Sequence, residues 1–471
     1  MGVRVQVCWS RVLSQLEVTK TLETSMRDGD KELQQRVLCI LKSKLDVAVQ
    51  KMARFSKNTP GMSIKMKLRL VLLKDSLDET IQELESWQKL YEPFWFHMIK
   101  LAPPAADAAL NRVIKTGSTG AAQAGWAARH FRRAFKEPDV GSQSVFIREE
   151  ELGSFTQAPI PFCTARVVTS TAVSAAQSKQ LIIEIVTDGA IQSKDAREFA
   201  RRLRQSDPLT SGLLSCKGVI RYTTATSLAF LFRMPDGYWA PRSLRGLLLS
   251  GASHNSLSDR LEMAKQLAKA VYYVHLYGFV HKNISPETVV SLAKGGTDAK
   301  CLPRTAFLVG FQVIRNADGK TYPIPNAKRW DLNLYRHPLR QGSNMESFVM
   351  QHDIYSLGVC LLELGLWESF IEYGPDGTAQ PTSALAAGED LATLLKAPVA
   401  LKEHLAALSR SRNLTARLGT KYSKVVETCL TCLDDDNPDF EHEQEFQDED
   451  GLPVGVRYIE KVLGILNGIT I

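Results

Sequence analysis

One stretch constrains the fold of this 471-residue chain more than any other: Leu267 to Val290, LAKAVYYVHLYGFVHKNISPETVV. In its first half Leu267, Val271, Val274 and His275 recur at spacings of three and four, which predicts an amphipathic helix. Gly278 ends that helix, and Phe279-Val280 forms a short apolar run into a polar loop, His281 to Thr288. A buried helix delivering a polar loop is an arrangement that serves chemistry, so the residues on the loop decide the reading.

The stretch closely resembles the catalytic-loop region of the eukaryotic protein kinases, whose pattern is LH-x-x-G-[IV]-[VI]-H-R-D-x-K-P-E-N; here it stands as VHLYGFVHKNISPETVV. The frame is kept and the chemistry is altered. The family's aspartate, which orients the substrate hydroxyl, is Asn283, an amide with no useful basicity near neutral pH. The family's magnesium-binding asparagine is Thr288. Where the family carries D-F-G, the closest stretch is Phe307-Leu308-Val309-Gly310-Phe311-Gln312, with Gly310 at the aspartate position and no side chain to hold a cation. No glycine-rich phosphate loop precedes these positions. The strand that should carry the family's lysine reads LIIEIV, with Glu184 inside it, and Glu198 stands as the helix acid that such a lysine would pair with.

Further along, Gln351-His352-Asp353-Ile354-Tyr355-Ser356-Leu357-Gly358 is similar to the family's D-x-[WY]-S-x-G helix. The resemblance implies structural roles for His281, Asp353 and Gly358, with Asp353 buried and accepting loop backbone hydrogen bonds. Leu334 to Leu339 sits where the family has A-P-E, with Pro338 matched and the glutamate replaced by Leu339. Leu228 to Pro235 and Ser243-Leu244-Arg245-Gly246-Leu247-Leu248 resemble the strand, hinge and helix between lobes. No catalytic residue is intact: His281, Asn283, Thr288 and Gly310 are the degenerate positions, and no metal site is expected.

The N-terminal third reads differently. Helical periodicity is expected over residues 7–26, from Leu33 to Met52, from Ile64 to Leu90, from Ala105 to Ile114 and from Ala121 to Lys136. The last carries Trp126 and His130 beside Arg129, Arg132, Arg133 and Lys136, a basic face suited to a surface or to bracing a neighbouring domain. Residues 1–140 hold 23 Lys and Arg against 15 Asp and Glu, so the net charge of +7 belongs to this part. Leu84 to Phe96 resembles the L-x-x-W-x-x-x-F-x-P-S-W motif of fungal kinase-like proteins with HeLo-related helical domains, although such aromatic clusters are mostly core.

The expected architecture is α+β: a helical bundle (1–138, HeLo-like), a kinase-like small lobe (139–235) and a kinase-like large lobe (236–471). Strands are predicted at Ser144–Ile147, Thr164–Val168, Leu181–Val186 and Val219–Tyr222, with a helix from Asp195 to Gln205. Late helices are predicted at Leu391–Ser409, Lys421–Leu433 and Arg457–Leu466, and an acidic loop at Asp434–Asp450. The eight cysteines form no framework, and Cys429 and Cys432 read as two apolar residues on one helix face. No transmembrane run or secretory signal is seen, so a cytoplasmic protein is expected, with association to a membrane surface as the alternative.

These readings converge on a pseudokinase serving as a signalling switch or scaffold, in line with fungal cell-death or incompatibility signalling. ATP binding is implied by the resemblance alone. Protein partners are expected through the helical bundle, along with an anionic membrane but no nucleic acid. Two other classes stand beside this one: a membrane-active cell-death effector, and a residual ATP-dependent Ser/Thr protein kinase.

Overall fold

The computed structural model describes residues 2–22, 31, 35, 91–135, 144–152, 155–170, 180–186, 190–222, 227–251, 256–295, 303–317, 319, 329–342, 345–386, 390–440, 455 and 457–469. The expected helices at Leu33–Met52 and Ile64–Leu90 lie outside them, isolated positions apart, as do Leu84 to Leu90 of the aromatic motif and residues 441–450 of the acidic loop. The chain divides into two compact units near residue 136.

The first unit is helical throughout its described part: α1 (Gly2–Leu22), α2 (residues 91–101), α3 (Ala106–Thr116) and α4 (Thr119–Arg133). Val12, Val18 and Leu22 of α1 are buried, as are Tyr91, Phe94 and Trp95 of α2. The described half of the aromatic motif is therefore core, and the Trp95 indole N–H donates to Thr19 Oγ1 at 3.2 Å. Ser118 starts α4 two residues earlier than the periodicity suggests, because its hydroxyl accepts the Ala121 N–H and satisfies an otherwise orphaned donor. Arg132 departs from the basic surface face. It is buried, pairs with Asp107 at 2.8 Å and donates to the carbonyls of Ile99, Ala102 and Pro103, closing the C-terminal end of α2.

The second unit is mixed α/β. Six strands form one sheet in the order β1-β5-β6-β4-β3-β2. They are β1 (Phe146–Arg148), β2 (Phe155–Pro159), β3 (Arg166–Ser170), β4 (Leu181–Val186), β5 (Ser215–Arg221) and β6 (Leu228–Arg233), antiparallel except where β1 runs parallel to β5. Strand β2 has no counterpart among the sequence expectations, since Pro159 and Pro161 give Phe155–Pro159 the look of a turn. Helix α5 (Ser193–Arg204) lies against the sheet, and its Phe199 packs edge-on to Phe230 of β6. The same ring meets Phe279 at 5.1 Å and Phe311 at 4.7 Å, so one aromatic side chain joins the sheet to the helical part below.

Below the sheet come β7 (Tyr238–Ser243), α6 (Leu244–Leu249), α7 (Leu257–Leu276), β8 (Phe279–Val280), β9 (Val289–Lys294), β10 (Arg304–Leu308) and β11 (Arg315–Asn316), then α8 (Met350–Leu366), α9 (Pro398–Ser409) and α10 (Arg412–Leu430). The organising stretch behaves as read: α7 opens on a Ser256/Asp259 capping box and ends before Gly278, whose φ of +77° supplies the left-handed turn. The helix expected over Leu391–Ser409 is broken instead. Pro398, lacking an N–H, starts a new helix rather than continuing the old one. Helix α10 reaches back to Arg412, with a non-helical kink at Gly419. Cys429 and Cys432 are buried free thiols, and no metal-binding group of three or more His, Cys, Asp or Glu occurs among the described residues. No described helix is long and apolar enough to cross a membrane.

Helices α8 and α10 form the densest helix pair, and Gly358 sets their separation. A Cβ there would stand 2.9 Å from the Cys429 Cβ and 3.1 Å from the Leu430 backbone nitrogen, neither of which can swing away. Gly358→Ala is expected to lower stability by ~1–3 kcal/mol, measured by urea denaturation, despite the gain in helix propensity.

Candidate functional site

The polar loop after α7 is held from beneath by one carboxylate. Asp353, in the first turn of α8, is wholly buried and accepts the backbone N–H of His281 at 2.7 Å and of Lys282 at 2.9 Å, with His275 Nε2 at 3.0 Å. Burial pushes its carboxyl up, but these bonds and the neighbouring imidazoles outweigh burial and hold it below the ordinary carboxylate range. The loop needs this hold because Lys282 adopts φ +67°, a left-handed backbone in a residue with a side chain. His281 lies fully buried; Nδ1 accepts the Asn283 N–H, so Nε2 carries the proton and donates to Val309 O at 2.9 Å. Burial brings its pKa down to about 4, which leaves a neutral ring near pH 7. Lys282 falls to about 8, through burial first and then the charges of Arg315 and Arg340.

The three altered positions meet in space. Asn283 Nδ2 donates to Gly310 O at 3.4 Å, and the Thr288 hydroxyl lies 2.8 Å from Asn283 O. Gly310 adopts φ +90°, and a Cβ built on it would fall 2.3 Å from Thr288 Cγ2 and 2.6 Å from its Cβ. Thr288 thus occupies the volume that a side chain at 310 would need. Threonine at 288 and glycine at 310 are one packing solution.

Glu184 completes the arrangement from above. It is 0 % exposed on β4, and its two oxygens accept the N–H groups of Gly310 and Phe311, the latter at 3.1 Å. Burial pushes its carboxyl up to about 7 against those two bonds, which favour the ionised form. Phe311 packs edge-on to His281 at 5.0 Å. Glu198 does not approach this point; it pairs along its own helix with Lys194 and Arg202.

The turn between β2 and β3 reaches down to the lower part. Ser243 Oγ donates to Pro161 O at 2.6 Å, and the Phe162 ring stacks on Tyr373 with centroids 5.2 Å apart. Phe162 adopts φ +53°, so this contact is held against backbone strain. Tyr373 donates to Glu287 at 2.8 Å, and Glu287 pairs with Arg245 at 2.9 Å. Arg245, wholly buried, also bonds Glu363 at 2.6 Å, Ser369 at 2.6 Å and Tyr335.

The structure therefore brings His281, Asn283, Thr288, Gly310 and Asp353 together, while Gly358 lies at the α8–α10 contact. Two residues central to the site were overlooked as such in the sequence: Glu184 and Arg245. The signal for Glu184 was available, since a lone acid inside the apolar run LIIEIV demands a partner when buried. Arg245 sits in an amphipathic helix and looks like an ordinary surface cation. No model of a known protein family matches the chain, and no curated protein matches it either.

Two outcomes test this geometry. Gly310→Ala is expected to cost ~2–3 kcal/mol in urea denaturation, and Thr288→Ser, which removes the nearest methyl, should recover part of that loss. A strictly additive double mutant would refute the shared packing. Separately, burial raises the folded carboxyl of Glu184 from its ordinary 4.5 to about 7, so its contribution to stability is fully present below 4.5 and lost as pH rises through 7. Glu184→Gln should flatten the decline in melting temperature between pH 5 and 7.5, a difference on the order of 3 kcal/mol.

Proposed function

We propose that the chain is a pseudokinase: a bilobal protein-kinase-like fold, carried behind a helical bundle, that acts as a signalling switch or scaffold rather than a phosphotransferase. The observation that carries this reading is Glu184. In place of a lysine on the central strand stands an acid whose two oxygens are spent on the Gly310 and Phe311 backbone, next to the position where the family's metal-binding aspartate would lie. A nucleotide's triphosphate would meet a carboxyl on the strand, no carboxylate at 283, 288 or 310 to hold a metal ion, and a loop turn already fastened by Phe162 to Tyr373. Phosphoryl transfer depends on positioning and charge stabilisation, and each of those functions has been replaced by an internal contact.

Selection for shape accounts for the pattern of what is kept. Asp353 and His281 organise the loop without touching a substrate, and the Arg245 network ties the loop's Glu287 to α8. Such a module works through surfaces, and its partners are proteins that engage the helical bundle.

Melting temperature measured with 1 mM ATP, with and without Mg²⁺, tests the reading. A site of Kd near 10 μM would add about 2.7 kcal/mol under those conditions. No shift is expected, and no labelled phosphate should pass from ATP to a generic protein substrate. A magnesium-dependent rise together with transfer would overturn the proposal.

A further inference from the structure

A second polar cluster lies beside the segment that leads into α8. Pro338–Arg340 form a 3₁₀ turn opened by His337, and in such a turn side chains three apart eclipse one another. Arg340 ends the turn that His337 caps and acts electrostatically on His352. The first turn of α8 presents His352 to them, its ring centroid 5.7 Å from that of His337. Phe348 lies 5.0 Å from the His352 ring and 5.6 Å from the Arg340 guanidinium, so it borders both. All three polar side chains are nearly sealed: His337 is 4 % exposed, Arg340 3 % and His352 1 %.

Their hydrogen bonding is incomplete in a defined way. His337 Nδ1 accepts the Leu339 N–H at 3.3 Å, and His352 Nδ1 accepts the Val349 N–H at 2.9 Å. A ring nitrogen that accepts carries no proton, so in each neutral ring the proton sits on Nε2. Burial first, and then neighbouring positive charge, lowers His337 to about 3 and His352 to about 4, which keeps both rings neutral. Among the described residues neither Nε2–H has an acceptor, and the Nε and Nη2 groups of Arg340 have none. Four N–H donors on three buried side chains are left with their desolvation unrecovered. Positive charge gathers around them, since Arg315 and Lys282 both act on Arg340's surroundings. The adjacent Asp353 is already engaged by His275 and the loop backbone, and Glu346, which also acts on Arg340, is exposed.

We propose that His337, Arg340 and His352 form a binding site for a small inorganic anion of chloride size. Such an ion supplies the acceptor that the donors lack and offsets the buried guanidinium. The N-terminus of the 17-residue helix α8, where His352 sits, adds favourable dipole charge. The near-complete burial of all three side chains favours a small ion over a larger group, which would have to displace them. A water molecule would relieve some donors and leave the charge of Arg340 uncompensated. The bound ion would clamp the Leu334–Arg340 segment onto α8, beside the Ser356 Oγ bond to Tyr335 O at 2.6 Å. This inference is independent of the pseudokinase reading.

The full chain, prepared in sodium gluconate, would be melted while gluconate is exchanged for chloride or bromide at constant ionic strength. A saturable rise in melting temperature is expected with either halide, and Arg340→Met should weaken the apparent halide affinity at least tenfold. If Arg340→Met does not fold, His337→Asn serves as the variant, with ³⁵Cl line broadening on the wild type as the second readout. Crystals grown in bromide should show an anomalous peak among the three side chains. Equal responses to halide and gluconate, a halide response unchanged in the variant, or a water in place of the bromide peak would each overturn the site. A larger rise with sulfate than with chloride would overturn its size.

Discussion

The second unit depends on the buried carboxylate of Asp353. Its two oxygens gather the N–H groups of His281 and Lys282 and one imidazole nitrogen of His275, so the end of α7, the polar loop and the start of α8 share one anchor. A buried charge is tolerated only when it is fully hydrogen-bonded, and removing any of these donors would leave the carboxylate short. The left-handed backbone at Lys282 persists because bonds on both sides over-determine it.

From this anchor the site is built out of internal contacts. His281 donates to Val309, Thr288 fills the volume above Gly310, and Glu184 accepts the backbone N–H groups of Gly310 and Phe311. Together these contacts satisfy the loop's polar groups from within the fold. Under the pseudokinase reading, the loss of the catalytic groups is thus a repacking in which one change requires the next. Gly310 cannot carry a side chain while Thr288 is present, and the carboxyl of Glu184 belongs where it meets donors rather than phosphates.

The Arg245 cluster shows the same economy of polar groups. One guanidinium reaches Glu287, Glu363, Ser369 and Tyr335, and Glu363 in turn accepts the Phe370 N–H at 2.8 Å. Such a network contributes specificity more than net stability, because a buried base, a buried acid and a half-buried one tolerate few alternative arrangements. The His337, Arg340 and His352 cluster is its counterpart with donors unmatched, which is why it points to a ligand while the Arg245 cluster does not.

Local pattern carried much of this architecture. The helix from Leu257 to Leu276, its glycine stop, the apolar strand Leu181–Val186 and the helix bearing Asp353 were legible because hydrophobic period, caps and breakers act over a few residues. Asn283, Thr288 and Gly310 could also be singled out on the chain residue by residue, and the structure brings them together. Tertiary structure alone decided which polar groups face one another. Glu184 and Gly310 are 126 residues apart, and Arg245 and Glu363 are 118 apart. Nothing in the spacing of charges along a chain specifies such pairs; they are set when packing removes water and every buried donor must find its acceptor.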